Sequence, residues 1–219
     1  MNVIIFGATG MVGQGVLREC LLDSGVQRVL AVGRSGTGQQ QPKLTEIVRG
    51  DLLDYADIEP ELAGYDACFF TLGVSSLGMS EDAYRRITYD ITLAAAGTLA
   101  RLNPNMTFVY VSGAGTDSTE RGRIAWARVK GKTENDLLRL PFHAVYIFRP
   151  AGIVPLHGIQ SKTAFYRIPY MLLAPILPYL KDRFPKYVTT TEQMGRAMLK
   201  VARQGAPKHV LENVDINAV

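Results

Sequence analysis

The 219 residues are 47% hydrophobic and 20% charged, enough apolar material for one globular domain with a real core and too little length for two full ones. That balance excludes a disordered chain, and no collagen-like or solenoid period runs through it. With 24 basic against 20 acidic residues, the net charge is +4, an excess that suits an anionic small ligand and does not call for nucleic acid.

Taken in chain order, short β-rich runs alternate with longer amphipathic ones. Asn2–Phe6 reads as a compact apolar strand reaching a glycine at Gly7, with no charged and apolar leader pattern before it. A helix follows, with Val16, Leu17, Cys20 and Leu21 on one face, closed at Ser24-Gly25. Strands are predicted at Gln27–Val32, Thr45–Arg49 and Ala67–Leu72, the last nearly all apolar, as in a strand covered on both faces. Ser80, followed by Glu81 and Asp82, is a good cap for a long helix whose predicted buried face is Ala83, Ile87, Ile91, Ala94 and Leu102. Met106–Ser112 is a fifth strand, Arg123–Leu138 a helix, and His143–Phe148 a sixth strand. After Pro150 the chain is irregular and proline-rich until a last helix near Thr191 to Arg203.

Strands separated by helices predict a doubly wound parallel α/β sheet of Rossmann type, with its ligand crevice where the strand order reverses. We expect a single domain over 1–219, with 1–150 as core and 151–219 as a small elaboration. The apolar stretch Ile168 to Leu180 is 13 residues long and holds Pro169, Pro175 and Pro178, short of the roughly 20 that span a bilayer. Cys20 and Cys68 have no metal or redox spacing and read as buried hydrophobes, which suggests a reducing, cytoplasmic setting.

The strongest chemical signal is Gly7-Ala8-Thr9-Gly10-Met11-Val12-Gly13, between a strand and a helix. Gly7 permits a sharp turn, Gly10 lets a pyrophosphate approach the backbone, and Gly13 lets helix and sheet pack closely. Thr9, Met11 and Val12 stand where free helix N–H groups meet an anion. The second strand ends in Gly33-Arg34-Ser35 and shows no acid for a ribose; Arg34 suits a 2′-phosphate, so NADP(H) is expected ahead of NAD(H). Asp51 and Leu52, after the third strand, are placed either to frame an adenine or, through Asp51, to cap the next turn.

These residues, with Thr71-Leu72-Gly73, Ser112 and Lys130, resemble the atypical or extended short-chain dehydrogenase/reductase superfamily, in its small NAD(P)H-binding branch of NmrA-type sensors and Tat-interacting proteins. The resemblance runs from residue 2 to about Pro150. It implies a bound dinucleotide whose nicotinamide lies near Leu72, Gly73 and Val74. It also implies a catalytic serine at Ser112 and a lysine at Lys130, on a helix that carries a proton-donating tyrosine four residues earlier. Here that position is Trp126, whose indole is no acid near neutral pH. Tyr84, Tyr89 and Tyr166 are the candidate substitutes. Tyr166, Tyr170 and Met171 are also candidates for an apolar lid.

Two readings follow. One is an NADP(H)-binding oxidoreductase or epimerase-like enzyme with an unknown small substrate. The other is a non-catalytic NADP(H) sensor or scaffold with a protein partner. Arg121, Arg123, Arg128, Lys130 and Lys132 read as a solvated basic face or, alternatively, as the seat of an anionic partner or substrate. None of His143, His157 and His209 is assigned a catalytic or metal role.

Overall fold

Seven parallel strands form the main sheet of the computed structural model, which describes residues 1–159 and 184–219. They are β1 (Asn2–Phe6), β2 (Arg28–Gly33), β3 (Leu44–Val48), β4 (Ala67–Phe70), β5 (Thr107–Val111), β6 (Ala144–Arg149) and, entering last, β9 (Val210–Glu212). Their spatial order is β3-β2-β1-β4-β5-β6-β9. The order reverses between β1 and β4, and there the carboxyl ends of the strands open a crevice. A separate parallel pair joins β7 (Gly152–Val154) to β8 (Val188–Thr190).

Alternation along the strands assigns each side chain to one of two cores. One face carries Val3, Ile5, Val29, Phe69, Val109 and Phe148 against α1 (Met11–Leu22) and a late helix, Thr191–Gln204. The other face carries Ile4, Phe6, Leu30, Phe70, Phe108 and Ile147. Phe6, Phe70, Phe108 and Phe142 stack there with centroids 5.0–5.9 Å apart, a spacing favourable for aromatic pairs. Helices on that side are the short α2 (Glu59–Leu62), α3 (Glu81–Arg85), α4 (Ile91–Leu102) and α5 (Ala125–Leu137). The late helix is α6, and α7 (Asn213–Ala218) follows β9.

Ser80 does cap the helix predicted after it, its Oγ accepting from the Ala83 N–H at 3.3 Å. The predicted buried face does not hold, however: Tyr84, Thr88, Thr92, Ala95, Ala96, Leu99 and Ala100 are the buried residues. Ala83 is exposed, and Ile87, Ile91, Ala94 and Leu102 are only half-buried. A π-helical segment at Arg86–Asp90 separates α3 from α4. Its wider turn rotates the faces that a continuous 3.6-residue period aligns.

Short elements after Pro150 were not anticipated. The three-residue strand β9 pairs with β6 through Ile147, Phe148 and Arg149. On the other side of the domain α6 is bound to α1, with Arg203 pairing with Asp23 and Arg196 with Glu19. The segment expected to supply a lid, with Tyr166, Tyr170 and Met171, lies outside the described residues, as does nearly all of the proline-rich stretch. Among the described residues no helix is long and apolar enough to cross a membrane, and Cys20 and Cys68 are free and buried.

Candidate functional site

The crevice at the strand reversal is a cleft of about 1010 Å³. Gly7 turns the chain out of β1 with φ +81°, a conformation glycine adopts at little cost. A side chain there meets the Leu72 backbone N at 2.6 Å. Thr71 locks the crossing, its backbone N–H and its hydroxyl both donating to the Phe6 carbonyl at 2.9 and 2.7 Å. At Gly13 a Cβ meets the Gly7 carbonyl oxygen at 2.0 Å, so helix and strand approach too closely for any side chain.

Gly10 differs from both. Its φ is −77°, and an added Cβ meets only the Gly7 oxygen, at 3.3 Å. Packing explains the other two glycines, while the openness of this one faces the cleft. Just beyond it, α1 begins with no side-chain cap and no acid in its first turn, leaving N–H groups and a positive dipole end for an anion. Gly73 and Gly113 also line the cleft with nothing within 4 Å of an added Cβ. A dinucleotide fits this cradle: backbone donors at its centre, bare glycines where a ligand must come close, and apolar walls from Ala31, Val32 and Ile47.

Eleven of the fourteen residues predicted for the site line the cleft: Gly7, Thr9, Gly10, Met11, Val12, Arg34, Leu72, Gly73, Val74, Ser112 and Lys130. Gly13 supports it from behind. Asp51 and Leu52 are not among the lining residues. Leu52 is buried in the core, and Asp51 Oδ1 accepts from the Leu53 N–H at 2.8 Å, the turn-capping alternative.

Arg34 is exposed, with no hydrogen bond or ion pair among the described residues, so its guanidinium is free for a ligand. The same end of the cleft holds an acid that reading β2 alone missed. Glu46 sits on the edge strand β3, where register pairs it with Ala31. Its carboxylate accepts from the Thr37 backbone N–H at 2.8 Å and from the Thr37 hydroxyl, tying down the loop after Arg34. A charged residue in the middle of a strand was the available signal.

At the opposite end stand Ser112, Trp126 and Lys130, with Pro150, Ala151 and Ile153 beside them. The Ser112 backbone N–H donates to the Phe148 carbonyl at 2.7 Å, which fixes the exit of β5. Its Oγ lies 3.1 Å from Thr116 Oγ1, and Thr116 spends its own proton on the Gly113 carbonyl at 2.8 Å. Lys130 Nζ is 3.5 Å from the Tyr110 hydroxyl and 5.2 Å from that ring's centroid. Burial lowers the Lys130 ammonium to about 8, and Glu134 one turn along the helix opposes that fall. Glu134 is itself buried beneath Arg149, whose Nε reaches it at 3.1 and 3.2 Å.

The expected tyrosine substitutes are elsewhere. Tyr84 is buried outside the cleft lining, Tyr89 donates to Asp136 at 2.7 Å, and Tyr166 is outside the described residues. The basic cluster disperses as well: Arg128 pairs with Glu81 and Lys132 with Asp136, Arg121 and Arg123 are exposed, and Lys130 enters the cleft. His157 pairs with Glu192, and the His209 ring nitrogen Nδ1 lies 2.8 Å from the Val145 carbonyl. No cluster among the described residues could hold a metal.

Known proteins agree with this geometry. Residues 7–137 match the model of a family described as NAD(P)H-binding. Protein FMP52-2, mitochondrial, of Scheffersomyces stipitis is 28% identical over 97% of this chain and 92% of its own. Protein fmp52, mitochondrial, of Emericella nidulans is 30% identical over 74% of this chain and 71% of its own. These names overturn the expected cytoplasmic setting. Two unpaired thiols indicate only a reducing environment, which does not single out the cytoplasm.

Among solved structures, the Bordetella bronchiseptica enzyme WbmF in complex with NAD+ superposes with a TM-score of 0.69 at 16% identity, covering 99% of this chain and 76% of that one. An oxidoreductase of the short-chain dehydrogenase/reductase family from Burkholderia thailandensis gives 0.68 at 16% identity, covering 100% and 93%. At such identities the likeness is one of fold. The matched stretch, with the glycine turn and the strand order, makes the chain a member of the NAD(P)H-binding family.

Proposed function

We propose that the protein is an NADP(H)-dependent oxidoreductase, or an epimerase-like enzyme using the same hydride exchange, acting on a small and fairly apolar substrate. Gly10 carries the reading, because its open face on the cleft has no use in the protein's own packing. The pyrophosphate rests on the backbone from Gly7 to Val12 at the start of α1. Arg34 takes the 2′-phosphate, on a loop that Glu46 holds in place. Leu72, Gly73 and Val74 flank the nicotinamide, Lys130 holds its ribose, and Ser112 faces the substrate oxygen. The cofactor supplies the hydride chemistry, and the chain binds and orients both reactants. Every residue given a role here falls within 1–150, while the described residues beyond it add β9 to the sheet and pack α6 on α1.

Trp126 supports a second reading, a redox sensor that binds NADP(H) without turning over, since the indole cannot donate the proton a carbonyl oxygen needs. One pair of measurements separates the two. Calorimetry with NADPH and NADH is expected to show tighter binding of NADPH, and equal affinities remove the role of Arg34. NADPH oxidation is then followed with a panel of small aldehydes and ketones. Turnover above background supports the enzyme; binding without turnover supports the sensor.

A further inference from the structure

The side chains lining the cleft include three that titrate: Arg34 and Glu46 at one end and Lys130 at the other. Beside Lys130, Trp126 has no proton to transfer. Ser112 Oγ lies 3.1 Å from Thr116 Oγ1, which also donates to the Gly113 carbonyl at 2.8 Å. A serine hydroxyl is also far too weak an acid to protonate a carbonyl oxygen near neutral pH, so Ser112 can position that oxygen but does not supply its proton. Among the described residues, the end of the cleft where the resemblance expects a tyrosine holds one group able to give a proton near neutral pH, and that group is a lysine.

Resting on the oxidoreductase reading, we propose that Lys130 is itself the proton donor, its ammonium taking over the work of the missing tyrosine. The carbonyl carbon gains the hydride from the reduced cofactor, and the C=O π pair moves to oxygen. That oxygen forms an O–H bond as an N–H bond of Lys130 breaks. The neutral amine left behind is reprotonated from water before the next cycle. In the reverse direction the amine accepts the alcohol proton.

The surroundings of Lys130 suit this task. On β5 the Tyr110 hydroxyl lies 3.5 Å from Nζ, close enough to accept from the ammonium and steer it, with the ring face 5.2 Å away at its centroid. Burial holds the Tyr110 hydroxyl in its neutral form, with Tyr84 of α3 and Glu134 of α5 acting in the same direction. Glu134 favours the charged lysine, while Arg149 of β6 neutralises that carboxylate and limits its pull. Desolvation dominates, and an ammonium near 8 is a usable acid at neutral pH, unlike an ordinary lysine.

Three measurements test the assignment. The first is the Cε chemical shift of lysines labelled with ¹³C, followed against pH without cofactor. One resonance is expected to titrate near 8 and to vanish in Lys130→Arg; titration of every lysine above about 10 overturns the proposal. The second is the pH profile of carbonyl reduction, expected to be flat at neutral pH and to fall through about 8 as the acid is lost.

The third uses two variants. Lys130→Arg keeps a cation beside the ribose but holds its proton too tightly, so kcat at saturating NADPH and pH 7 should drop at least about 100-fold. Tyr110→Phe keeps the buried ring and removes an acceptor that favours the charged lysine, so the falling limb should move to lower pH. Turnover that survives Lys130→Arg with its limb unmoved overturns the acid assignment and leaves the oxidoreductase reading standing. A wild type that binds NADPH but reduces nothing at any pH overturns both.

Discussion

The two ends of the cleft are built on different principles. At the Gly7 end the contacts on offer are backbone: a left-handed glycine, two close crossings and a bare helix terminus, with Arg34 a cation that has no partner among the described residues. At the Lys130 end the contacts are side chains, and these stand on other side chains: Lys130 on Tyr110, and Glu134 of the same helix beneath Arg149. Backbone cradles tolerate wide sequence change provided the glycines stay. A side-chain network ties each group to its neighbours, as Lys130 is tied to Tyr110, so one substitution there reaches several groups at once.

Breaking the buried support of the Lys130 end should cost the most. Glu134 and Arg149 expose only 1% and 13% of their side chains, and removing one partner of such a pair costs about 3–5 kcal/mol. Glu134→Gln should therefore lower the unfolding free energy by about 3 kcal/mol or more in a denaturant titration. Glu46→Gln, which weakens only hydrogen bonds to the Thr37 loop, should cost about 1 kcal/mol. Equal costs erase the contrast between the ends.

Gly10→Val sharpens the other side. The mutation leaves an allowed backbone but fills the approach to the α1 terminus, so NADPH affinity should fall at least about 100-fold, or about 2.7 kcal/mol, with a small loss of melting temperature. Gly13→Ala is the control, since its Cβ meets the Gly7 oxygen at 2.0 Å and the fold itself should suffer. Retained affinity in folded Gly10→Val moves the cofactor site elsewhere.

The smallest effect concerns the Arg34 cation. Losing one charge-assisted contact to a phosphate is expected to narrow the preference for NADPH over NADH about tenfold in Arg34→Ala, measured by calorimetry. An unchanged ratio hands phosphate recognition to the backbone, as at Gly10.

What could be read in the sequence was local. β1 was placed to the residue and α1 followed from the glycine turn, because strand, turn and helix signals lie within a few adjacent residues. Glu46 and Tyr110 owe their places to sheet register, which brings distant stretches together: Glu46 pairs with Ala31 and lines the cleft, and Tyr110 pairs with Phe70 in the core, where its hydroxyl meets Lys130. The buried face of α3 and α4 was misassigned because one π-helical turn breaks the period. β9, at three residues, is too short to carry a periodic signal at all.

One consequence follows for how the molecule is made. The ion pairs that fasten α1 to α6 join residues 177 and 180 positions apart, and β9 reaches the sheet only after α6 has emerged. An all-parallel sheet with such distant partners folds slowly, because long loops must close before their contacts are rewarded. On the ribosome α1 is among the first helices synthesised, yet its apolar face, with Val16, Leu17 and Cys20, waits for Met194 and Met198 of α6. Throughout that interval the part of α1 that α6 covers stays open, whatever the sheet strands already bury. A chain cut before α6 is therefore expected to aggregate, read as loss of its soluble fraction beside the full chain.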